Sequence, residues 1–168
     1  TKKNVPGLTD LFELKSIFPK AHLKGREIRI WVADCGNGLE VYAVAMMLAD
    51  YLQNDIKYST IKIFATDMEE GIITAAIKAR YTEWELREIP EQWKTKYFQR
   101  DADGWLISQN IRNMVIFSVH DIVANPPFAR LDMIVCRNAM NLFRIRSRRT
   151  MMKRFSYALN QGGYLMLG

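Results

Sequence analysis

Four short apolar runs divide the chain, and each stops at a polar or glycine-rich segment. They cover residues 28–33, 61–66, 114–119 and 131–136. Their length and their content of valine and isoleucine are typical of strands buried in a parallel sheet, which are apolar on both faces. We therefore predict four core strands in this order.

Helical periodicity separates these runs. Apolar residues recur every three or four positions after the first run: Val41, Val44, Ala45, Leu48 and Leu52. A second helix is predicted over residues 69–78, and a third from a cap at Ser147 to residue 159. Gly162 and Gly163 are predicted to end that helix before a fifth strand over 164–167.

This alternation predicts an α/β fold with a doubly wound, Rossmann-like parallel sheet and helices on both faces. Residues 81–113 are less regular, and we expect a small irregular insertion there. Pro90 would open a short helix, and the turn signal at residues 101–104 would lead into a short strand over 105–107.

Composition excludes several classes of protein. The chain has 168 residues, 49% of them hydrophobic, which suits one compact domain. Its apolar runs are far shorter than the roughly 18 residues that a membrane helix needs, so no membrane insertion is expected. Two cysteines cannot build a disulfide framework, and a cytoplasmic location is therefore predicted.

Positive charge is concentrated near the end of the sequence. The chain carries 24 basic and 18 acidic residues, and residues 133–168 contain no Asp or Glu. The basic residues of that stretch are Arg137, Arg144, Arg146, Arg148, Arg149, Lys153 and Arg154. Such a block indicates either an acidic partner or a solvated helix face, and the sequence leaves both interpretations open.

Polar and glycine residues gather where the predicted strands end, which is where doubly wound sheets bind ligands. The first strand is followed by Gly36 and Gly38, which allow the backbone a tight turn before a helix. Asp67 ends the second strand. Its carboxylate could accept hydrogen bonds from ribose hydroxyls, or it could cap the helix that follows. Val41 stands where a dinucleotide fingerprint has its third glycine, so S-adenosylmethionine is the favoured cofactor.

Five ordered segments carry a resemblance to a known family. They are residues 30–42, 64–68, 117–128, 131–138 and 159–168. Together they resemble the chemotaxis receptor glutamate methyltransferases, the CheR family, and especially versions fused to methylesterase and sensor modules. The resemblance implies a class I methyltransferase sheet and S-adenosylmethionine-dependent esterification of receptor glutamates. It also implies chemoreceptor-like acidic protein helices as partners, and nucleic acid is disfavoured.

The resemblance also implies which residues surround the cofactor. Glu40 corresponds to an acidic residue near the methionine end, Asp67 to the ribose ligand, and Asp121 with Ile122 to the pair beside adenine. The remaining predicted cofactor-binding residues are Cys35, Gly36, Gly38, Met68, Arg137 and Asn138. No catalytic residue is assigned, and Arg137 is the one candidate.

Departures from the family pattern leave the activity open. Leu39 replaces the first acid of the glycine-loop motif, and Leu142 replaces a tyrosine expected beside the transferred methyl. An arginine expected upstream of the first strand, near Thr9, is missing. The alternative to an enzyme is therefore a catalytically degenerate module that binds S-adenosylmethionine or a protein partner.

The resemblance also sets the expected domain limits. Residues 27–168 are assigned to the methyltransferase domain and residues 1–26 to a helical remnant or linker. The sheet is expected to lack the family's last strands. That would leave an open edge for self-association or for other domains of a longer signalling protein.

No metal site is predicted. Cys35 and Cys136 are interpreted as packing residues at the ends of neighbouring strands, because metal ligation would need two further ligands and only His120 lies in a suitable place.

Overall fold

The computed structural model describes residues 26–52, 60–137 and 144–168. In chain order the elements are β1 (Ile28–Ala33), α1 (Leu39–Leu52), β2 (Ile61–Asp67), α2 (Glu70–Lys78), β3 (Arg80–Tyr81), a 3₁₀ helix (Glu85–Glu88), α3 (Glu91–Tyr97), β4 (Phe98–Asp101), β5 (Gly104–Ile107), α4 (Gln109–Arg112), β6 (Val115–Val119), β7 (Leu131–Cys136), α5 (Ile145–Ala158) and β8 (Leu159–Leu167).

Five of these strands form a parallel sheet in the order β6-β2-β1-β7-β8. The chain leaves β1 toward β2 on one side, and β7 later pairs with the other side of β1. The point where the strand order reverses therefore lies between β1 and β7. In doubly wound sheets a crevice opens there, beyond the carboxyl ends of the strands.

Helices cover both faces of the sheet, as the alternation of side chains along β1 shows. Ile30 and Val32 lie in the larger core cluster with the buried side of α1. Trp31 and Ala33 lie in a second cluster with Phe155 of α5. Because successive side chains of a strand point to opposite faces, the predicted doubly wound architecture is confirmed.

A second, smaller sheet lies within residues 80–107. Its antiparallel strands follow the order β3-β5-β4. Asp50 near the end of α1 holds α3 in place by accepting hydrogen bonds from Trp93 Nε1 at 2.8 Å and from the Tyr97 hydroxyl at 2.6 Å, and Lys96 also pairs with it.

The predicted end of the last helix was wrong. Helix α5 begins at Ile145 after Arg144, so Ser147 lies in its first turn and is not the cap. The helix ends at Ala158, and β8 begins at the next residue. Gly162, with φ of 78°, and Gly163 lie inside β8 where its pairing with β7 is irregular. A Cβ at Gly163 would come within 2.9 Å of the Asn160 carbonyl oxygen.

The remaining differences are small. The short helix after Pro90 ends at Tyr97, and the sequence pattern did not predict β3 or β4. No helix of the described segments is long and apolar enough to cross a lipid bilayer. The expectations for residues 1–25, including Thr9, and for Asn138 and Leu142 lie outside the described residues.

Candidate functional site

The loop after β1 is fastened to the neighbouring strand by its own backbone. The amide of Cys35 donates to the Thr66 carbonyl at 2.9 Å, and that of Gly36 donates to Asp67 Oδ2 at 3.2 Å. The amide of Gly38 donates back to the Cys35 carbonyl at 3.1 Å, which closes the turn that leads into α1. This loop, residues 34–38, is called the glycine loop below.

The two glycines of the loop have different surroundings. Both have positive φ, 52° at Gly36 and 82° at Gly38, a region that favours glycine. A Cβ on Gly36 would meet no atom of the described residues within 4 Å, whereas one on Gly38 would lie 3.0 Å from the Cβ of Ala76. Gly38 is therefore required by packing against α2, and Gly36 leaves open space above the loop.

Two residues outside the loop hold it in place, and sequence reasoning did not single out either. The Tyr81 hydroxyl donates to the Asn37 carbonyl at 2.9 Å. Burial raises the pKa of Tyr81, so this phenol stays a donor. Glu85 of the 3₁₀ helix accepts from the Asn37 side chain at 3.4 Å. The sequence around Tyr81 and Glu85 does not predict these contacts, because both depend on how residues 80–88 fold back over the loop.

Asp67 lies at the end of β2 with its carboxylate held from two sides. Oδ2 accepts from Gly36 and Oδ1 accepts from the amide of Glu69 at 3.1 Å. The N-cap of α2 is Glu69 rather than Asp67, so the simple cap interpretation is wrong. Asp67 instead joins the glycine loop to the start of α2.

Asp34 is the most unusual residue of the loop. It has a φ of 61°, a left-handed conformation that is uncommon outside glycine. Asp34 and Asp67 directly follow paired positions of β1 and β2, Ala33 and Thr66. Burial and the neighbouring negative charge of Asp67 both raise the pKa of Asp34. The sequence placed Asp34 in the loop but did not identify its proximity to Asp67.

Glu40 of α1 and Arg137, the residue after β7, form a partly buried ion pair. The Arg137 Nη1 lies 3.6 Å from Glu40 Oε1, which has no hydrogen-bond partner among the described residues. Burial raises the pKa of Glu40, and the charge of Arg137 opposes that rise. The neighbouring Leu39 packs against the core cluster that lies beneath α1.

The other predicted site residues fall into two groups. Met68 is exposed just beyond Asp67 and offers an apolar surface. Asp121 Oδ1 accepts from the amides of Val123 and Ala124 at 2.7 and 3.0 Å, so it stabilises its own turn. The side chain of Ile122 is buried in the α5-side core, so any contact of this pair with an adenine would come from Asp121 or from backbone atoms.

Both cysteines are buried, Cys35 in the glycine loop after β1 and Cys136 at the end of β7. Burial raises the pKa of Cys35 to about 12, with the nearby carboxylate of Asp67 as the next cause. This thiol is therefore protonated at neutral pH and is a poor nucleophile or metal ligand. Within the described residues, no group of His, Cys, Asp and Glu could hold a metal ion.

Residues 11–168 match the protein family described as CheR methyltransferase, SAM binding domain. The chain belongs to this family. The family resemblance and the cofactor predicted from the sequence, S-adenosylmethionine (SAM), are thereby confirmed at the level of the family.

Two relatives that are named as chemotaxis methyltransferases agree with this family. The chain is 32% identical over 145 residues to a chemotaxis protein methyltransferase of Borreliella burgdorferi, covering 84% of this chain and 51% of that protein. It is 31% identical over 151 residues to chemotaxis protein methyltransferase 2 of Vibrio cholerae, covering 88% and 52%. An uncharacterised 104.1 kDa protein of Rhodobacter capsulatus is 33% identical, with 86% of this chain and 15% of that protein covered. The chain thus spans about half the length of the chemotaxis relatives.

Solved structures share the fold. The glycopeptide N-methyltransferase MtfA complexed with sinefungin matches with a TM-score of 0.57 and 14% identity, over 96% of this chain and 49% of MtfA. The DszA carbon methyltransferase matches with a TM-score of 0.55 and 17% identity, over 95% and 33%. At these sequence identities the comparison shows a shared fold and nothing about function.

The site has two features that fit an adenosyl cofactor. Open space lies above Gly36, beside the anchored carboxylate of Asp67. The buried Glu40 Oε1 can still accept a hydrogen bond, as an amino group of a ligand would offer. A buried acceptor that forms an ion pair but no hydrogen bond still costs free energy, and a donor from a ligand would remove that cost.

Proposed function

We propose that this domain binds S-adenosylmethionine beyond the carboxyl ends of β1, β2 and β7, and that it transfers a methyl group to glutamate carboxylates of chemoreceptor-like proteins. The observation that carries the proposal is the carboxylate of Asp67, fixed by two backbone amides beside the open space over Gly36. A carboxylate at the end of the second strand of such a sheet is suited to accept hydrogen bonds from ribose hydroxyls.

Each predicted cofactor contact has a distinct role in this proposal. Asp67 would hold the ribose, and the glycine loop would let the ligand approach its backbone closely. Glu40, positioned by Arg137, would accept from the amino group of the methionine part. Met68 would provide an apolar contact near the adenine. Because Arg137 is paired with Glu40, we assign it to positioning rather than to contact with the acceptor.

The chemistry asks little of the protein beyond alignment. When bound, S-adenosylmethionine supplies an electrophilic methyl carbon on a positively charged sulfur. A glutamate acceptor is already ionised at neutral pH, so no side chain has to remove a proton from it. The methyl group would pass from that sulfur to the carboxylate oxygen, which would leave a neutral thioether and give a methyl ester. The protein's contribution is to hold the acceptor oxygen in line and to exclude water.

An acidic partner is supported by the outer face of α5. Arg146, Arg149 and Lys153 are exposed and follow one another at spacings of three and four residues, so they share one side of the helix. Tyr157 continues the row and is 85% exposed. We name these four residues the α5 stripe. The whole helix contains no acidic residue, so its field favours an acidic segment as the substrate-bearing partner.

The cofactor part of the proposal is tested by calorimetric titration with S-adenosylhomocysteine. We expect micromolar binding to the wild-type domain and a loss of at least about thirtyfold in Asp67→Ala, because a buried charged hydrogen-bond partner is removed. Asp101→Ala makes the same chemical change at an exposed position of the small sheet and should bind normally. Absence of binding to a folded wild-type domain would refute the proposal.

The transfer part is tested with radiolabelled S-adenosylmethionine and a receptor cytoplasmic fragment. Label should enter as a base-labile ester that releases methanol, and a fragment with its acceptor glutamates changed to glutamine should remain unlabelled. Leu142 stands where the family has a tyrosine, which favours the second candidate, a cofactor-binding module without transferase activity. Tight binding of S-adenosylhomocysteine without any labelling of receptor would identify that second candidate as correct.

A further inference from the structure

Asn37 of the glycine loop is held at three of its polar groups. Its backbone carbonyl accepts from the Tyr81 hydroxyl at 2.9 Å. Its side-chain nitrogen donates to Glu85 Oε1 at 3.4 Å, and its side-chain oxygen accepts from the amide of Leu39 at 3.2 Å. Tyr81 and Glu85 belong to residues 80–88, to which no ligand contact is assigned. The glycine loop is therefore fastened by a part of the chain outside the proposed ligand site.

The peptide unit between Asn37 and Gly38 is held at both ends. A trans peptide is planar, so its carbonyl and its amide point in opposite directions. The carbonyl of Asn37 accepts from Tyr81, and the amide of Gly38 donates to the Cys35 carbonyl at 3.1 Å. A peptide beside glycine turns easily, because glycine adopts positive and negative φ about as readily. Tyr81 thus holds in one orientation a peptide that Gly38 would leave free to rotate.

We propose that Tyr81 is a positioning residue, which keeps the glycine loop in the form that binds an adenosyl ligand, and that residues 80–88 thereby control the affinity of the site. This inference rests on the proposed function, since it concerns the same ligand. In the observed form the amide of Gly36 is bonded to Asp67, the carboxylate proposed to hold the ribose. Rotation of the Asn37–Gly38 peptide would break the bond from Gly38 to Cys35 that closes this loop.

Tyr81 is itself fixed by the small sheet. Helix α2 ends at Lys78, and Ala79, with a left-handed φ of 53°, turns the chain into β3. Tyr81 then pairs with Trp105 of β5, and its ring lies edge-on to that of Tyr42 of α1 with centroids 6.4 Å apart. Burial raises the pKa of its hydroxyl, so the phenol remains a donor at neutral pH. The hydroxyl therefore reaches the glycine loop from a rigid support.

Glu85 provides a second hold on the loop. Its Oε2 accepts from the amide and the hydroxyl of Thr82 at 2.8 and 2.9 Å, and the amide of Glu85 donates back to that hydroxyl at 3.3 Å. These reciprocal bonds form a capping box, which orders the start of the 3₁₀ helix. The other oxygen of Glu85 bonds to Asn37 at 3.4 Å, a longer distance than that of the Tyr81 bond, so its contribution should be smaller.

Control of affinity through residues 80–88 has a reciprocal consequence. If the bond from Tyr81 favours the loop form that binds, then the ligand favours that bond by the same factor. The ligand should therefore slow hydrogen exchange at residues 80–88 more than at β4 of the same small sheet. A tyrosine that only stabilised the fold would not transmit this effect.

The test compares wild type, Tyr81→Phe and Tyr97→Phe by calorimetric titration with S-adenosylhomocysteine. Each substitution removes a hydroxyl and keeps the ring. Tyr97 is a matched control, because it is also buried and its hydroxyl donates to Asp50, near the far end of α1 from the glycine loop. We expect Tyr81→Phe to bind about three- to tenfold more weakly, the equivalent of one hydrogen bond. Tyr97→Phe should bind as wild type does, even where it costs as much stability.

A second pair of variants and the exchange measurement make the outcome specific. Glu85→Ala should bind about twofold more weakly, and Glu88→Ala on the same 3₁₀ helix should bind normally. The slowing of exchange at residues 80–88 should be lost in Tyr81→Phe. Equal affinity of wild type and Tyr81→Phe, or an equal loss in Tyr97→Phe, would overturn the inference. If Tyr81→Phe does not fold, equal affinity of the two glutamate variants would overturn it. Failure of wild type to bind would instead refute the proposed function.

Discussion

The unequal surroundings of Gly36 and Gly38 lead to a prediction with an internal control. Gly36→Ala and Gly38→Ala are the same chemical change at two positions of one loop, both with positive φ. Any difference between the variants therefore arises from what the added methyl group contacts. We expect Gly38→Ala to lower mainly the free energy of unfolding, and Gly36→Ala to lower mainly the affinity for S-adenosylhomocysteine.

The magnitudes follow from the geometry. A left-handed backbone costs an L residue about 1–2 kcal/mol, and the stiffer unfolded chain offsets about 0.4–1 kcal/mol of this. Gly36→Ala should therefore destabilise the fold by about 1 kcal/mol, since its Cβ meets no atom in the described part of the chain. At Gly38 the Cβ would also lie 3.0 Å from Ala76 and 3.3 Å from the Phe117 ring. Overpacking of this kind adds about 1–3 kcal/mol, for a total of about 2–4 kcal/mol.

Urea unfolding followed by tryptophan fluorescence measures the stability difference, with the m-value checked for two-state behaviour. Titration with S-adenosylhomocysteine below the unfolding transition measures affinity. We expect a loss of at least about tenfold for Gly36→Ala, since a methyl group would occupy space that a ligand needs. Equal loss of stability in the two variants would refute the packing argument, and unchanged affinity of Gly36→Ala would refute the placement of the ligand over the loop.

Three further predictions concern other parts of the molecule. Burial alone would raise the pKa of Asp50, but hydrogen bonds from α3 outweigh it and lower the pKa, so its ionised form stabilises the fold. Asp50→Asn should cost about 1–2 kcal/mol in urea unfolding at pH 7. This difference should begin to shrink as the pH falls below about 3.9, where the carboxylate of the unfolded chain takes up a proton, and should be lost once the folded carboxylate, whose pKa is lower, is protonated too; a constant difference would contradict it. Cys35 should react with iodoacetamide at pH 7.5 far more slowly than a free thiol, as followed by mass spectrometry. The double change Arg149→Glu and Lys153→Glu on the α5 stripe should weaken receptor labelling several-fold and leave S-adenosylhomocysteine affinity unchanged, whereas Lys78→Glu, on α2, should leave both unchanged.

The strands at the centre of the sheet could be predicted from the sequence because strands buried on both faces consist almost entirely of apolar residues. Strands β1 and β7 lie within 28–33 and 131–136 as predicted, since strands covered on both faces need apolar residues throughout. Strand β4 was missed because only Phe98 of its four residues is buried. Its partner β5 decides its conformation, and no local pattern shows that.

Errors at the end of the chain have a similar cause. The pair Gly162 and Gly163 looks like a helix terminator, but these glycines serve the irregular pairing between β7 and β8. At the site, the carboxylate of Asp67 and the glycine loop were predicted, because strand ends in this fold are a known location for ligands. The proximity of Asp34 to Asp67 and the bond from Tyr81 to Asn37 were not, since both depend on tertiary contacts.

The position of β1 in the sheet has a consequence for synthesis on the ribosome. Strand β1 is made first, yet one of its two neighbours, β7, is made about a hundred residues later, and Asp132 at its start binds the amide of Arg29 across 103 positions. Until that segment emerges, the nascent chain exposes one edge of an apolar strand, an aggregation hazard during translation. The domain is therefore most prone to aggregation while the residues before 131 are being synthesised, and a pause or a loss of chaperone protection in that interval would increase the risk.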